Sequence, residues 1–338
     1  MRVIVAGLGP RGQDWVRTVR GTPGTELAAC VDPDEGALRA AGRALALAPD
    51  RCFGHLDDAL NQVACDAVIV ATSLDRHVEP CRAALTRGLG VLVEKPLALD
   101  LGAAVALVAD AQARGVPLVV GQNYRHTRAP RTVRRLLAEG VPGRIGKFVC
   151  RMYRGPDQPL ASAVLGVPNG LVWEIAVHHL DALRYMFGLE PARVFARIAC
   201  SSWNGGRDAS SVDVLLSFDN GMVGSYEALY DSRGHEFFER GQEFYLRVAG
   251  ERGTLHVLNR WLLWCARGGL PRLVRRGPRP ETEEAFLLRQ LAASLRTGTE
   301  PECSGRDNLY TLALLEACVR SAAEERWVEP GALLRAAR

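Results

Sequence analysis

Lysine is almost missing from this 338-residue chain. Of its 42 basic residues only Lys95 and Lys147 are lysine, and the rest are arginine. Arginine keeps its proton in a protein, whereas a desolvated lysine can give its proton up. A lysine retained against that background points to a position where arginine does not serve. An excess of one charge sign is also lacking. With 38 acidic residues the formal net charge is +4, which excludes a nucleic-acid footprint spread over the whole chain. No apolar run approaches the ~18 residues that a membrane-spanning helix needs. The N-terminus lacks the apolar region and cleavage site of a secretory leader, so a cytoplasmic protein with no membrane partner is expected. Paired cysteines are lacking as well. The nine cysteines are odd in number and none stands in Cys-x-x-Cys, the usage of reduced thiols and not of a disulfide framework or zinc site.

What is present is a length for about two domains. Over the first ~120 residues, short apolar, β-branched runs (3–6, 27–31, 67–71, 91–93 and 118–120) alternate with helical stretches (12–20, 35–47, 78–87 and 101–114). Fully apolar strands separated by helices predict a parallel sheet covered on both faces. After residue 125 the pattern changes. A linking helix near 129–139 is followed by a strand over 144–154, a Pro/Gly-rich loop, a helix over 172–187 and several antiparallel strands, with helices near 281–297 and 307–326. The expected architecture is α/β. An N-terminal doubly wound domain spans 1–122, and an α+β domain with an open, mostly antiparallel sheet spans 123–338. The last helices are free to pack back on the first domain.

Gly7-Leu8-Gly9-Pro10-Arg11-Gly12 follows the first strand and opens the first helix. The first glycine permits a tight turn, the second lets a pyrophosphate approach the helix end, and the third allows close helix–strand packing. Asp32, at the end of the second strand, is where a carboxylate would accept from a ribose 2′-hydroxyl and repel a 2′-phosphate. The expected cofactor is NAD. NADP stays open because Arg11 and Arg39 are near enough in sequence to meet a phosphate. The alternative for Asp32 is a turn acid in Asp32-Pro33-Asp34.

Val93-Glu94-Lys95-Pro96 follows the fifth strand. Ligands of doubly wound sheets bind beyond the carboxyl ends of the strands, so Lys95 is expected near the reactive end of the cofactor. On a regular helix, Glu174, His178 and Asp181 fall on one face. A carboxylate one turn from an imidazole favours its charged form and suits general acid/base chemistry. The alternative is a salt-bridged helix with core histidines. His178 and His179 diverge around the helix, so no metal site is expected.

The order of Gly7-x-Gly9-x-x-Gly12, Asp32, Ala71-Thr72-Ser73 with His77, Glu94-Lys95-Pro96, Gly121-Gln122-Asn123-Tyr124-Arg125 and the His178/Asp181 helix resembles the Gfo/Idh/MocA oxidoreductases over essentially the whole chain. The resemblance implies reversible hydride transfer between a nicotinamide and a sugar, cyclitol or related carbonyl. It also implies homodimers or homotetramers joined through the C-terminal sheet. It places Lys95 beside substrate and nicotinamide, and His178 as the catalytic histidine with Glu174 as its acid, at a position where many members carry Asp. It sets Thr72, Ser73, His77 and Glu94 along the cofactor groove together with Pro10 and Arg11. Gln122, Asn123, Arg125 and Asp181 fall at the substrate. Two alternatives stand beside it: a non-catalytic sensor of dinucleotide or sugar, and a reductase of another electrophile such as an imine or tetrapyrrole. Specificity is expected from the loops 155–171, 201–210 and 231–242.

Overall fold

The computed structural model describes residues 1–154, 167–200, 210–230, 242–259, 261–277 and 281–338. Most of the three expected specificity loops lies outside the described residues. No helix among the described residues is long and apolar enough to cross a membrane. All nine cysteines are free thiols.

The chain forms two units. The first comprises Met1–Asn123 and Glu281–Leu309 with Arg338, and the second Tyr124–Pro280 and Tyr310–Ala337. The first unit runs β1 (Arg2–Ala6), α1 (Pro10–Gly21), β2 (Glu26–Val31), α2 (Glu35–Leu45), β3 (Cys52–Phe53), α3 (Leu56–Gln62), β4 (Ala67–Val70), α4 (Val78–Thr86), β5 (Gly90–Val93), α5 (Leu101–Arg114) and β6 (Leu118–Val120). The strands are all parallel, in the order β3-β2-β1-β4-β5-β6, that of a doubly wound dinucleotide-binding sheet. Every residue of β4, β5 and β6 is buried, which is why these strands read as continuous apolar runs. Local chemistry sets the helix ends. Asp34 caps α2 by accepting from the Gly36 and Ala37 amides, and Asp100 caps α5 by accepting from Ala103. Gly115, at φ 64°, closes α5 in the left-handed conformation that glycine adopts without strain.

The second unit contains α6 (Arg128–Ala138), β7 (Ile145–Arg154), α7 (Val177–Phe187), β8 (Arg193–Ala199), β9 (Ser211–Ser217), β10 (Val223–Leu229), β11 (Gln242–Gly250), β12 (Gly253–Leu258), β13 (Trp261–Ala266) and β14 (Arg272–Leu273). Its eight strands order as β14-β13-β12-β11-β7-β10-β9-β8. Among the described residues only β7 and β10 of this sheet pair in parallel. In β9 and β10 every second residue is buried, the alternation of a sheet with one covered face.

Three helices end the chain where two were expected: α8 (Glu283–Thr297), α9 (Gly305–Glu324) and α10 (Pro330–Ala337). Leu287, Leu288 and Leu291 of α8 join Val3, Val5 and Trp15 in the core of the first unit. The stretch expected as one helix over 172–187 is two. Val172–Ala176 is π-helical and only Val177 onward is α-helical. A π turn is uncommon and occurs often at functional sites.

Candidate active site

The glycine loop has the geometry its spacing predicts. Gly7 has φ +94°, and a Cβ there would lie 2.5 Å from the Ala71 carbonyl oxygen. A Cβ on Gly12 would lie 1.8 Å from the Gly7 oxygen. Gly9 differs: a Cβ there meets nothing within 4 Å. Its lack of a side chain therefore serves the space outside the protein, beside the start of α1, an end that no side chain caps. Open space and a bare helix N-terminus fit a pyrophosphate. The Asp32 carboxylate is fixed to the loop. Oδ2 accepts from the Leu8 amide at 2.7 Å and Oδ1 from the Asp34 amide at 2.9 Å. These bonds are those of the turn-acid alternative, and they hold the carboxylate beside the glycine loop. Pro10 is exposed at the first position of α1.

Several residues expected along the groove are committed to the protein instead. Glu94 Oε1 accepts from Arg11 Nε at 3.0 Å, from Arg11 NH2 at 2.7 Å and from Trp15 Nε1 at 2.8 Å. Arg11 also lies 3.5 Å from Glu284 Oε1, and Asn123 Nδ2 donates to that oxygen at 2.9 Å. Arg11, Glu94 and Asn123 thus join α1, the end of β5 and the start of α8. That engagement takes Arg11 away from a 2′-phosphate. Arg39 is tied to Glu35 at 2.9 Å on an exposed helix face. Thr72 Oγ1 donates to the Arg76 carbonyl at 3.0 Å, and Ser73 hydrogen-bonds Asp75, lowering that acid. His77 is 1% exposed and cannot line a groove. Gln122 is likewise 1% exposed, and its amide has no hydrogen-bond partner among the described residues. The expectations that His77 meets cofactor and that Gln122 meets substrate are corrected by this burial. Lys95 is buried on the turn after β5.

In the second unit, of residues 171–184 only Glu174 and His178 are not buried. The segment is enclosed on every side but the one they share. His179 shows the contrast. Its Nδ1 lies 3.0 Å from Tyr226 Oη and its ring stacks on Phe244 at 5.6 Å. Burial pushes its imidazole down to about 4. His179 is a neutral core residue, and His178 is the one presented. The Tyr124 ring packs on His178 with centroids 4.7 Å apart and meets His179 edge-on at 5.6 Å. Tyr124 remains 37% exposed. Sequence reasoning passed over it, although it stands within the Gln122-Asn123-Tyr124-Arg125 run.

Asp181 and Arg125, expected at the substrate, are both buried in the protein. They are 0% and 3% exposed. Arg125 Nε donates to Asp181 Oδ2 at 2.7 Å, and Arg125 NH2 donates to Oδ1. Thr311 Oγ1 donates to Oδ1 at 2.8 Å. A pair with both oxygens used and no exposed surface holds α7 against the 3-10 turn at Asn123–His126 and against α9. Near Glu174, Arg154 NH1 donates to Tyr230 Oη at 2.8 Å and its guanidinium stacks on the same ring. Burial raises the Tyr230 phenol, Arg154 lowers it, and the charge of Glu174 raises it again. The guanidinium groups of Arg151 and Arg154 lie against Tyr153, Tyr245 and Tyr230.

Comparison with known proteins agrees with this geometry. Residues 1–122 match the oxidoreductase family with NAD-binding Rossmann fold, and residues 131–256 match the GFO/IDH/MocA C-terminal domain. The chain is similar to a D-apiose dehydrogenase of Paraburkholderia graminis, with 31% identity over 96% of this chain and 88% of that protein. It is similar to inositol 2-dehydrogenase 2 of Saccharopolyspora erythraea, with 30% identity over 96% of this chain and 93% of the other. In fold it is similar to an oxidoreductase from Agrobacterium radiobacter solved with NAD+, L-tartaric acid and magnesium. That likeness has TM-score 0.88 and 23% identity and covers 98% and 99% of the two chains.

Proposed function

The chain belongs to the GFO/IDH/MocA oxidoreductase family, and we propose that it interconverts a secondary alcohol and a ketone of a sugar, cyclitol or sugar derivative with NAD. The names of its relatives, D-apiose and inositol dehydrogenases, support that substrate class. The free space at Gly9 and the carboxylate of Asp32 support the dinucleotide. Asp32, Asp34 and Glu35 set negative charge where a 2′-phosphate would lie, and Arg11 and Arg39 are held by Glu94 and Glu35. NAD is favoured over NADP on that ground.

A bound nicotinamide supplies the hydride acceptor in the oxidative direction. His178 takes the proton of the substrate hydroxyl. Glu174 stabilises the positive charge that the imidazole gains with that proton. Lys95 donates a hydrogen bond to the reacting oxygen and stabilises the charge that develops there. Tyr124, lying on His178, limits the rotation of its ring.

One observation carries this reading: over residues 171–184, the acid and the imidazole are the two side chains not buried. The test is NADH production by the wild type and His178→Ala over a panel including myo-inositol and D-apiose. The alanine variant is expected to lose roughly 10²–10⁴-fold in kcat, as for removal of a general base, with NADH affinity retained. Equal turnover in the two proteins would remove His178 from the reaction.

Association of subunits follows the same reading. Leu215, Val223 and Trp261 stand exposed on the second sheet, which supports a second copy of the chain as the partner of that face. Sedimentation of Leu215→Glu against the wild type tests it: an unchanged mass would remove that face from the assembly.

A further inference from the structure

His77 is absorbed by neither cofactor nor substrate, and its surroundings give it another task. The residue sits between the 3-10 turn Leu74–Arg76 and the start of α4. Its Nδ1 lies 2.7 Å from the Pro96 carbonyl oxygen and its Nε2 lies 3.2 Å from the Thr72 carbonyl oxygen. Both carbonyls are acceptors. A ring with one proton can satisfy one of them, and the shorter contact identifies Nδ1 as the donor. Pro96 follows Lys95 directly, so the ring grips the turn that carries the lysine. The grip is dry, because His77 is fully enclosed.

We propose that His77 is a positioning residue for Lys95, holding the turn that carries it by an Nδ1–H donated to the Pro96 carbonyl. The inference rests on the role proposed for Lys95 in the reaction. It goes beyond it by naming the group that sets where the ammonium stands. The other ring nitrogen faces the Thr72 carbonyl, so the one side chain lies between the loops that follow β4 and β5. A second proton on Nε2 would bond Thr72 as well. Burial opposes that charge and lowers His77; the Pro96 carbonyl, Glu94 and the Thr72 carbonyl favour it, and Lys95 opposes it. Asp75, on the adjoining turn, interacts with the charged ring too. The Cys81 thiol, one helical turn along α4, is buried and held well above its ordinary range, so it stays neutral. At neutral pH the ring therefore carries one proton, on Nδ1, and the clasp on Lys95 does not depend on the second.

The near absence of lysine makes the test direct. Protein grown with [13Cε]lysine has two side-chain signals, Lys95 and Lys147. Loss of one in Lys95→Met assigns them. His77→Leu is expected to move the Lys95 13Cε signal. The Lys147 signal should stay in place. The same variant is expected to lower kcat by roughly tenfold or more, with NADH affinity changed by less than about threefold. His77→Asn, whose amide N–H stands where Nδ1–H stood, should recover most of both effects. In wild-type protein grown with 15N-histidine, the ring should show the neutral Nδ1–H form at pH 7.5.

A leucine variant with the wild-type Lys95 13Cε signal and kcat would overturn the clasp. So would an asparagine variant as impaired as leucine, or a wild-type ring protonated on Nε2, which needs no variant to fold. The two readings fail separately. Full turnover in Lys95→Met overturns the reaction role of the lysine and leaves the displaced 13Cε signal of His77→Leu standing. A dead Lys95→Met beside an unaffected His77→Leu overturns the clasp alone.

Discussion

Glu94 in the first unit and Asp181 in the second are both carboxylates clasped by arginine, and both stand next to a residue assigned to the chemistry. Their surroundings differ. Asp181 and its partner Arg125 are shut away, with Thr311 on the same carboxylate and the buried Arg184 3.8 Å from it. Glu94 is also covered, but its partner Arg11 is 43% exposed at the side chain and shares a second acid, Glu284. Water can stand in for part of what Glu94 supplies and for none of what Asp181 supplies. The buried pair fixes the helix that presents His178, whereas the half-open pair closes a rim.

The greatest strain on that contrast comes from removing the buried acid. Asp181→Ala leaves Arg125 enclosed without its carboxylate and should cost about 3–5 kcal/mol in urea unfolding. A loss under about 1 kcal/mol would erase the difference between the two clasps. Acid should act next on the second unit. Burial, with Arg125, Arg131 and Arg134 nearby, holds His126 down to about 3, and burial holds His179 down to about 4. Below pH 6.5 the unfolded chain takes up protons that these native rings refuse, so stability falls as pH falls. Between pH 6.5 and 5, each histidine should cost about 2 kcal/mol. Unfolding curves for wild type and His179→Phe at both pH values would measure that share.

Replacing the rim acid should be milder. Glu94→Gln keeps an acceptor for Trp15 and weakens the bond to Arg11, at a cost of about 1.5–3 kcal/mol. A penalty equal to that of Asp181→Ala would show that exposure of the arginine does not matter. Asp32→Ala should shift the NAD-to-NADP ratio of kcat/KM towards NADP by about tenfold, close to 1.4 kcal/mol. A ratio that stays put would assign the preference elsewhere. The smallest change belongs to Arg39→Ala, whose exposed pair with Glu35 should be worth about 0.3–0.5 kcal/mol in thermal unfolding.

The parts legible in the sequence are those set by local physics. Apolar runs such as Ala67–Val70 announce strands covered on both faces, and Gly7, Gly9 and Gly12 announce a turn whose geometry the backbone demands. Burial was not legible, because it depends on which distant elements arrive. Helical periodicity put Asp181 on the face of His178, yet α9 brings Thr311 over that acid and Arg125 reaches it from the turn before α6. His77 and Gln122 lie in the expected run of groove residues but face inward. The π turn at Val172–Ala176 gave no signal, since its composition is that of an ordinary apolar helix. Short β3 and β14 hold two residues each and were missed for want of any period to read.

The route of the chain through the first unit bears on how it is made. The β6 edge receives the Cys303 carbonyl at the Val120 amide, 2.8 Å away, and Ser304 bridges Val119. Leucines of α8 fill the hydrophobic centre beside Trp15. A nascent chain that has emerged only as far as residue 123 therefore holds an open sheet edge and an unfilled interior. The ribosome must deliver some 180 further residues before the first unit can close, and the second unit in turn waits for 310–337, so a nonsense mutation near residue 280 would leave both units unfinished.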